Sequence, residues 1–568
     1  MRLRLLSVVP VALLAATVGC FRAPPPGEPK LVVVVVFDQM RGDYIERWLP
    51  LYGEGGFRRL VTDGVWFRNC HYPYATTTTG PGHASILSGC SADRHGIVSN
   101  DWYDRTAGEK VYCAATPRYE FVPSRPPSDD KPGATKRPPQ AGNPDRMLSP
   151  TVADSLKDAT GGTAKIYGLS LKDRSAVLPL GHSRGEAYWF GSGFLTSTYY
   201  RDTLPGWVRA YNTSGKADRF AGKEWTRLLS PAVYDEYVGP DEVNGEAPDA
   251  EKKVAFPHRI GLTPKADAKY YAALASSPGG NDILLDLAKT CVVAENLGRG
   301  TKPDLLVVSF SSNDLVGHQY GPDSHEVLDI TLRSDLLMAN FLRFLDSRVG
   351  VGKYTLILTA DHGICPLPEV EAKKGIDARR IPGAPMVAGA EKHLRDVFGG
   401  DVDPFTGKSK AQYLEAVAQP SFYLNRRLLA SRGISPDAAA DELAKWLSTQ
   451  DGVMRAYTRK QLLGDIPTDD AIGGRVKKSF HADRSGDVVV VLKPYYLLTD
   501  EAAKGTSHGT PHAYDTHVPL LVLAPDAVGG RREEPVTPQH AAAIAARYLG
   551  VPPPRDCEYV LPATLLKP

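Results

Sequence analysis

The sequence predicts an α/β protein organised on one buried, largely parallel sheet, and three stretches carry the prediction. Leu31–Phe37 (LVVVVVF), Asp304–Phe310 (DLLVVSF) and Tyr354–Thr359 (YTLILT) are short, mostly apolar runs rich in β-branched residues. Such runs suit strands covered on both faces, the situation of parallel sheets flanked by helices. Each gives way at once to polar groups: Asp38 after the first, Ser311-Ser312-Asn313-Asp314 after the second, Ala360-Asp361-His362 after the third. The carboxyl ends of strands are where α/β sheets gather their ligands. At 568 residues the chain has length for two to four domains, but one sheet wrapped with insertions accounts for it equally well.

The leader comes first. Arg2 and Arg4 precede an apolar run at 5–18 that ends in Gly19-Cys20, the pattern of an export signal. Gly-Cys at that place resembles a bacterial lipobox, with Thr17 standing where such boxes usually carry Leu. Residues 1–20 are therefore expected to be a signal peptide, with Cys20 lipidated and the chain attached to a membrane by that lipid alone. Residues 21–29, with Pro24-Pro25-Pro26, read as a linker. Residues 40–52 and 57–63 have helical or mixed patterns, and 64–67 reads as a short strand.

The stretch 76–83, TTTTGPGH, is the centre of the reading. Gly80-Pro81-Gly82 cannot continue a strand. Pro81 has a φ suited to a first helical turn, so a short helix is expected to begin near Gly82 with Thr79 at its mouth. Free N–H groups and the positive end of the helix dipole would collect there and suit a phosphoryl group. Thr79 Oγ is thus a candidate nucleophile, although a Thr ahead of a helix is, taken alone, more often only a cap.

Beyond it, residues 117–149 are rich in Pro, Lys, Asp and Gly and read as a surface insertion. Residues 151–158 read as helix and 163–168 as strand. Lys172 and Arg174 then lie two residues apart after that strand, where both reach one anion. Residues 188–264 carry Trp, Tyr, Gly and charge without clear period, a second expected insertion. Residues 281–297 and 324–349 read as helices, and 367–500 as a third insertion or subdomain that shapes the site. A Gly-rich loop at 505–514 holds His508, Gly509 and His512. Residues 518–524 read as a further strand, 537–549 as a closing helix and 551–568 as a tail, so the catalytic unit spans 30–550.

Three strands ending in acid or acid–His groups, Asp38, Asp314 with His318, and Asp361-His362, together with His508, form a natural donor set for a divalent cation such as Zn²⁺. Two cations would divide the work, one activating Thr79 Oγ and the other taking the leaving oxygen. Lys172, Arg174 and Asn100 would hold the remaining phosphoryl oxygens, and two side-chain cations suit a dianionic monoester better than a diester. The balance of 67 Lys+Arg against 65 Asp+Glu, a net +2, gives no reason to expect a nucleic-acid partner. Besides Cys20 there are six cysteines, a number that permits disulfides in an oxidising compartment, with no tight zinc-binding spacing among them.

Phe37-Asp38, the 76–83 turn, Asp314 with His318, Asp361-His362-Gly363 and His508-Gly509 together resemble the alkaline phosphatase superfamily, and within it the type I phosphodiesterase/nucleotide pyrophosphatase group. The Thr nucleophile with a Lys-Asp-Arg element is similar to the periplasmic, phosphate-irrepressible alkaline phosphatases. The resemblance implies a three-layer α/β/α sandwich and a di-zinc site. Asp314, His318 and His508 would hold one Zn²⁺; Asp38, Asp361, His362 and Thr79 would hold the other; and Asn100, Lys172 and Arg174 would contact phosphate. His512 is a rival to His508, which the His-Gly pattern favours. The implied activity is hydrolysis of small phosphate monoesters of broad range through a phosphothreonine, outside the cytoplasm, by a monomer. The alternatives are a phosphodiesterase or nucleotide pyrophosphatase with the same metals, and an exported binding protein without catalysis. Cys90-Ser91-Ala92-Asp93-Arg94 approaches the sulfatase Cys-x-Pro-x-Arg element, but Ala92 replaces the Pro.

Overall fold

The structure is a computed structural model that describes residues 29–124, 140–400, 411–500 and 502–566. The signal peptide, Cys20, most of the 21–29 linker and the centre of the 117–149 insertion lie outside the described residues.

A ten-stranded sheet runs through the molecule, with Leu31–Phe37 in its interior. This strand pairs in parallel with Asp304–Phe310 on one side and Tyr354–Thr359 on the other. The registers place Phe37 opposite Phe310 and Val36 opposite Thr359. One residue further on, Asp38 stands level with Ser311 and Asp361, so the three polar strand ends finish in one row. All seven residues of the first strand are fully buried. That is why its run of valines has no alternating polar face. Ile166–Ser170 and Glu186–Phe190 continue the sheet in parallel, and Leu520–Leu523 pairs antiparallel with Tyr354–Thr359. Helices Thr79–Ser88, Val152–Thr160 and His540–Leu549 pack on one another, and His540–Leu549 packs against the central strands. Pro278–Ala294, Ser312–Tyr320 and His325–Arg348 form a second group. The layers are those of an α/β/α sandwich.

A smaller lobe occupies much of 367–500. Its antiparallel sheet has the order Leu414–Ala418, Ser421–Leu424, Val488–Leu492, Val453–Thr458. Helices Gly383–Phe398 and Pro436–Leu447 close over it, and Leu394, Leu424, Leu443 and Leu447 are fully buried in a core of its own.

Two expectations are corrected. The helix begins at Thr79, not near Gly82: Thr78 is extended (φ −121°, ψ 162°) and acts as the cap, while Pro81 falls inside the first turn. The segment from 188 does not start as an insertion. Glu186–Phe190 and Phe194–Ser197 are strands of the main sheet whose aromatic side chains hide the period. Cys70, Cys90, Cys113, Cys291, Cys365 and Cys557 are all unpaired, and all but Cys557 are buried. Among the described residues no helix is long and apolar enough to cross a membrane.

Candidate active site

The 76–83 turn lies against the carboxyl ends of the central strands. Thr79 is 1% exposed, with Oγ1 3.4 Å from His362 Nε2 and 3.5 Å from Arg174 Nη2. Its helix approaches the third strand so closely that a Cβ on Gly82 would lie 2.4 Å from the Asp361 carbonyl oxygen. His83, one turn on, clamps the nucleophile's backbone: Nδ1–H donates to Thr79 O at 2.9 Å, leaving Nε2 to accept from Ser309 Oγ at 2.8 Å. At this helix start the N–H groups that follow Thr79 are engaged or missing. Gly80 N–H donates to Asn100 Oδ1 at 2.7 Å, Pro81 has none, and Gly82 N–H donates to Thr78 O at 3.0 Å. The bond from Gly80 instead fixes the Asn100 amide, so that its NH₂ is the group left to meet an anion.

The predicted ligands converge on Thr79. Asp38 Oδ1 and Asp361 Oδ2 lie 3.5 and 3.4 Å from His362 Nε2. His318 Nε2 and His508 Nε2 lie 3.2 and 3.6 Å from Asp314 Oδ1. Asp38, Asp361 and His362 have ligand atoms all within 4.8 Å of one another, as do Asp314, His362 and His508. His362 therefore belongs to both groups, and its ring stacks on His508 with centroids 3.5 Å apart. Each histidine turns Nδ1–H to a backbone carbonyl: His318 to Thr506 at 2.8 Å, His508 to Thr77 at 2.8 Å, His362 to Gly363 at 2.9 Å. A carbonyl only accepts, so each Nδ1 carries its proton, and His362 and His508 present a proton-free Nε2 inward, the orientation that ligating histidines take, whereas His318 Nε2 faces the Asp314 carboxylate, which against burial raises the pKa of the ring. His512 does otherwise, with Nε2 on the Leu492 carbonyl at 2.9 Å, and it drops out as the rival to His508.

The electrostatics ask for more positive charge than the side chains supply. Asp38, Asp314 and Asp361 are buried together; Asp38 Oδ1 has no hydrogen-bond partner, and Asp361 Oδ2 has only His83 Nδ1 at 3.2 Å, which it shares with the Thr79 carbonyl. Burial, and then the neighbouring Asp361, hold the Asp38 carboxyl well above the usual range. Against burial, Lys172 and His318 pull Asp314 well below it. Burial, with His362 and His318 alongside, keeps the His508 ring neutral. Poorly satisfied buried carboxylate oxygens beside proton-free imidazoles are costly as they stand and become a donor set once a divalent cation is present. The residues fit such a cation.

Lys172 was expected on phosphate. Its Nζ bridges Asp38 Oδ2 at 2.6 Å and Asp314 Oδ2 at 2.5 Å, the nearest buried negative charge. Arg174 faces the nucleophile, and its Nε is buried without a partner. Two residues that sequence patterns did not mark hold this arrangement. Tyr112 donates its OH to Asp173 Oδ1 at 2.5 Å and accepts from Arg174 Nη1 at 3.2 Å. It closes a hairpin, Asp101–Asp104 with Glu109–Tyr112, that starts beside Asn100, and Cys113 N–H donates to Asn100 O at 2.9 Å. One hairpin thus positions both Asn100 and Arg174. Gln39 spans the two ligand groups: its N–H donates to Asp361 Oδ1 at 3.1 Å and its Nε2 to Asp314 Oδ1 at 2.7 Å. Its φ of 70° is left-handed, unusual for a non-glycine residue. That conformation has no signal in a lone sequence beyond adjacency to Asp38.

The sulfatase-like stretch lies elsewhere. Cys90 lies beyond the C-terminal end of the nucleophile helix, whose ten residues span about 15 Å at 1.5 Å per residue. Its thiol is pushed up to about 11 by burial, and Arg94 pairs with Glu558.

Known proteins share this architecture. The chain is similar to the alkaline phosphatase PafA of Elizabethkingia meningoseptica, 34% identical over 526 residues that cover 91% of this chain and 90% of that one. It is 32% identical to the alkaline phosphatase PhoV of Synechococcus elongatus over 504 residues, 87% of this chain and 85% of the other. The crystal structure of wild-type PafA superposes with a TM-score of 0.84 at 31% identity, covering 96% of this chain and 100% of that one. The sequence profile of the type I phosphodiesterase / nucleotide pyrophosphatase family matches residues 32–515. The chain belongs to that family, within the alkaline phosphatase superfamily.

Proposed function

We propose that the protein is an exported di-zinc alkaline phosphatase that hydrolyses small phosphate monoesters of broad range through a phosphothreonine on Thr79. One observation carries the proposal: two groups of metal-type ligands, sharing His362, meet beside a buried Thr79 Oγ that also faces Arg174. Asp38, Asp361, His362 and Thr79 would hold one Zn²⁺, and Asp314, His318 and His508 the other. When bound, the pair would lower the pKa of the Thr79 hydroxyl and neutralise charge on the phosphoryl and leaving oxygens.

The chain's own groups do the rest. Thr79 Oγ gives up its proton to solvent and attacks phosphorus, the Oγ–P bond forms, the bond to the leaving alkoxide breaks, and the alkoxide takes a proton from solvent. Water then loses a proton and attacks the phosphothreonine, the Oγ–P bond breaks, and phosphate leaves as Thr79 Oγ is reprotonated. Asn100 NH₂ and Arg174 Nε, each held by neighbours, donate to the non-bridging oxygens. Lys172 lies within the same cluster and turns from the carboxylates to the phosphoryl group once their charge is otherwise met. Two cationic side chains favour the dianion of a monoester over a diester. The leader at 1–20 supports export, with lipid attachment at Cys20, of an enzyme working as a monomer.

Thr79→Ala should lower kcat/KM for a monoester at least about a thousandfold while metal analysis still finds two zinc ions per chain. Turnover near the wild-type level in that variant would sink the proposal.

A further inference from the structure

Two cavities flank the nucleophile turn where the smaller lobe leans over the main sheet. One, of about 290 Å³, has Thr76, Thr78 and His508 on its catalytic side. The other, of about 440 Å³, has Asn100, Asp101 and Lys110. Met386, Gln419, Phe422 and Leu498 line both, so the cavities share one wall, and that wall comes from the smaller lobe. Both volumes are of the order of small-molecule sites, which run from roughly 300 to 1,000 Å³.

The wall is mostly apolar and firmly held. Met386 is 9% and Phe422 3% exposed, both belong to the core of the smaller lobe, and Leu498 packs on that core. Several polar groups around the first cavity are engaged elsewhere. Arg380 donates from Nε to Glu369 and from Nη2 to the Gly505 carbonyl, each at 2.7 Å. Thr506 Oγ1 donates to Cys365 O and Thr510 Oγ1 to Asp515 Oδ2. Such a lining offers contact area and few hydrogen bonds, so a polyol would lose more to desolvation here than a flat apolar group. Thr78 Oγ1, buried with no partner, stands where the cavity meets the nucleophile turn.

We propose that this shared wall is the leaving-group site of the enzyme and that, within its broad range of monoesters, it favours aryl esters over small alkyl ones. The proposal rests on the phosphomonoesterase reading above. A phosphoryl group between Thr79, Asn100 and Arg174 has its ester oxygen within reach of the two cavities, because Asn100 lines one and Thr78 and His508 line the other. Apolar area engaged by the departing alcohol adds binding energy remote from the reacting bond.

The test compares naphthyl phosphate with methyl phosphate in the wild type, in Met386→Gln and in Leu498→Asn. Taking variant-to-wild-type ratios cancels the intrinsic reactivity of each ester. Each variant is expected to lower kcat/KM for naphthyl phosphate about tenfold more than for methyl phosphate, chiefly through KM. Equal losses on both esters, or no loss on either, overturn the proposal. Calorimetry in a Thr79→Ala background separates the two readings. Naphthyl phosphate should bind about tenfold tighter than inorganic phosphate, and Met386→Gln should erase the difference. Equal affinities in Thr79→Ala reject the aryl site even if Thr79 proves to be the nucleophile. Retained turnover in Thr79→Ala rejects the mechanism, and the variant-to-wild-type kcat/KM ratios for the two esters still decide the site.

Discussion

The two lobes are built on opposite logic. In the main lobe every candidate ligand hangs from the end of a buried strand, from the helix after it or from the 505–517 loop, and the groups touch one another directly. Among the described residues, the smaller lobe's share of the cleft is an apolar wall rooted in a separate core. Charge at strand ends announces itself in a sequence, whereas an apolar wall looks like any other hydrophobic residues. The difference teaches where chemistry and where selectivity are to be sought in such a molecule.

Removing metal should act on the main lobe alone and most strongly. Dialysis against a chelator is expected to abolish turnover and lower the thermal midpoint, with both restored by Zn²⁺. A ligand present at a hundred times its dissociation constant contributes about 2.7 kcal/mol to stability. Activity unchanged by chelation would break the contrast between the lobes.

Leu443→Ala probes the other side. Emptying a fully buried position in the smaller lobe should cost about 2–5 kcal/mol, raising hydrogen exchange across 383–498 while zinc content stays at the wild-type value. Loss of zinc in this variant would show the lobes to be one energetic unit.

Arg174→Ala should reduce monoester turnover about ten- to a hundredfold and diester turnover less, because a bond to the extra anionic oxygen is lost. Tyr112→Phe keeps the ring but frees Arg174 and Asp173. Its expected loss is a few-fold, with the same monoester bias; an equal effect on both ester classes would reduce Tyr112 to packing.

A pH effect concerns the loop that carries His508. Asp515 accepts from Thr510 N–H and Oγ1 at 2.8 and 2.6 Å, and burial pushes its carboxyl up to about 7. Between about pH 4 and 7 the folded chain therefore keeps a proton that the unfolded chain has lost, so stability falls as pH rises through that window. Asp515→Asn should flatten the slope by as much as about 1.4 kcal/mol per pH unit, seen in denaturant midpoints across the window. An unchanged slope would assign the proton elsewhere.

Much of the main lobe was legible in the sequence, for a physical reason. Leu31–Phe37, Asp304–Phe310 and Tyr354–Thr359 match the expected strands residue for residue, since burial on both faces leaves a long apolar signature. The polar groups beyond them stand out by contrast. Gln39 and Tyr112 stayed hidden because they act through a positive φ and a hairpin register, neither of which one sequence displays. The helix start was misplaced by three residues because Gly80-Pro81-Gly82 was read as the whole turn, although Pro is tolerated inside a first helical turn.

The row of level strand ends has a consequence for how such a site tolerates change. Adjacent strands lie about 4.8 Å apart, so the main-chain ladder itself acts as the ruler that sets Asp38 beside Asp361. Surface loops can be rewritten at length without touching that measure. A slip of one residue between Leu31–Phe37 and Tyr354–Thr359 would turn one carboxylate to the opposite face of the sheet and dismantle the centre in a single step.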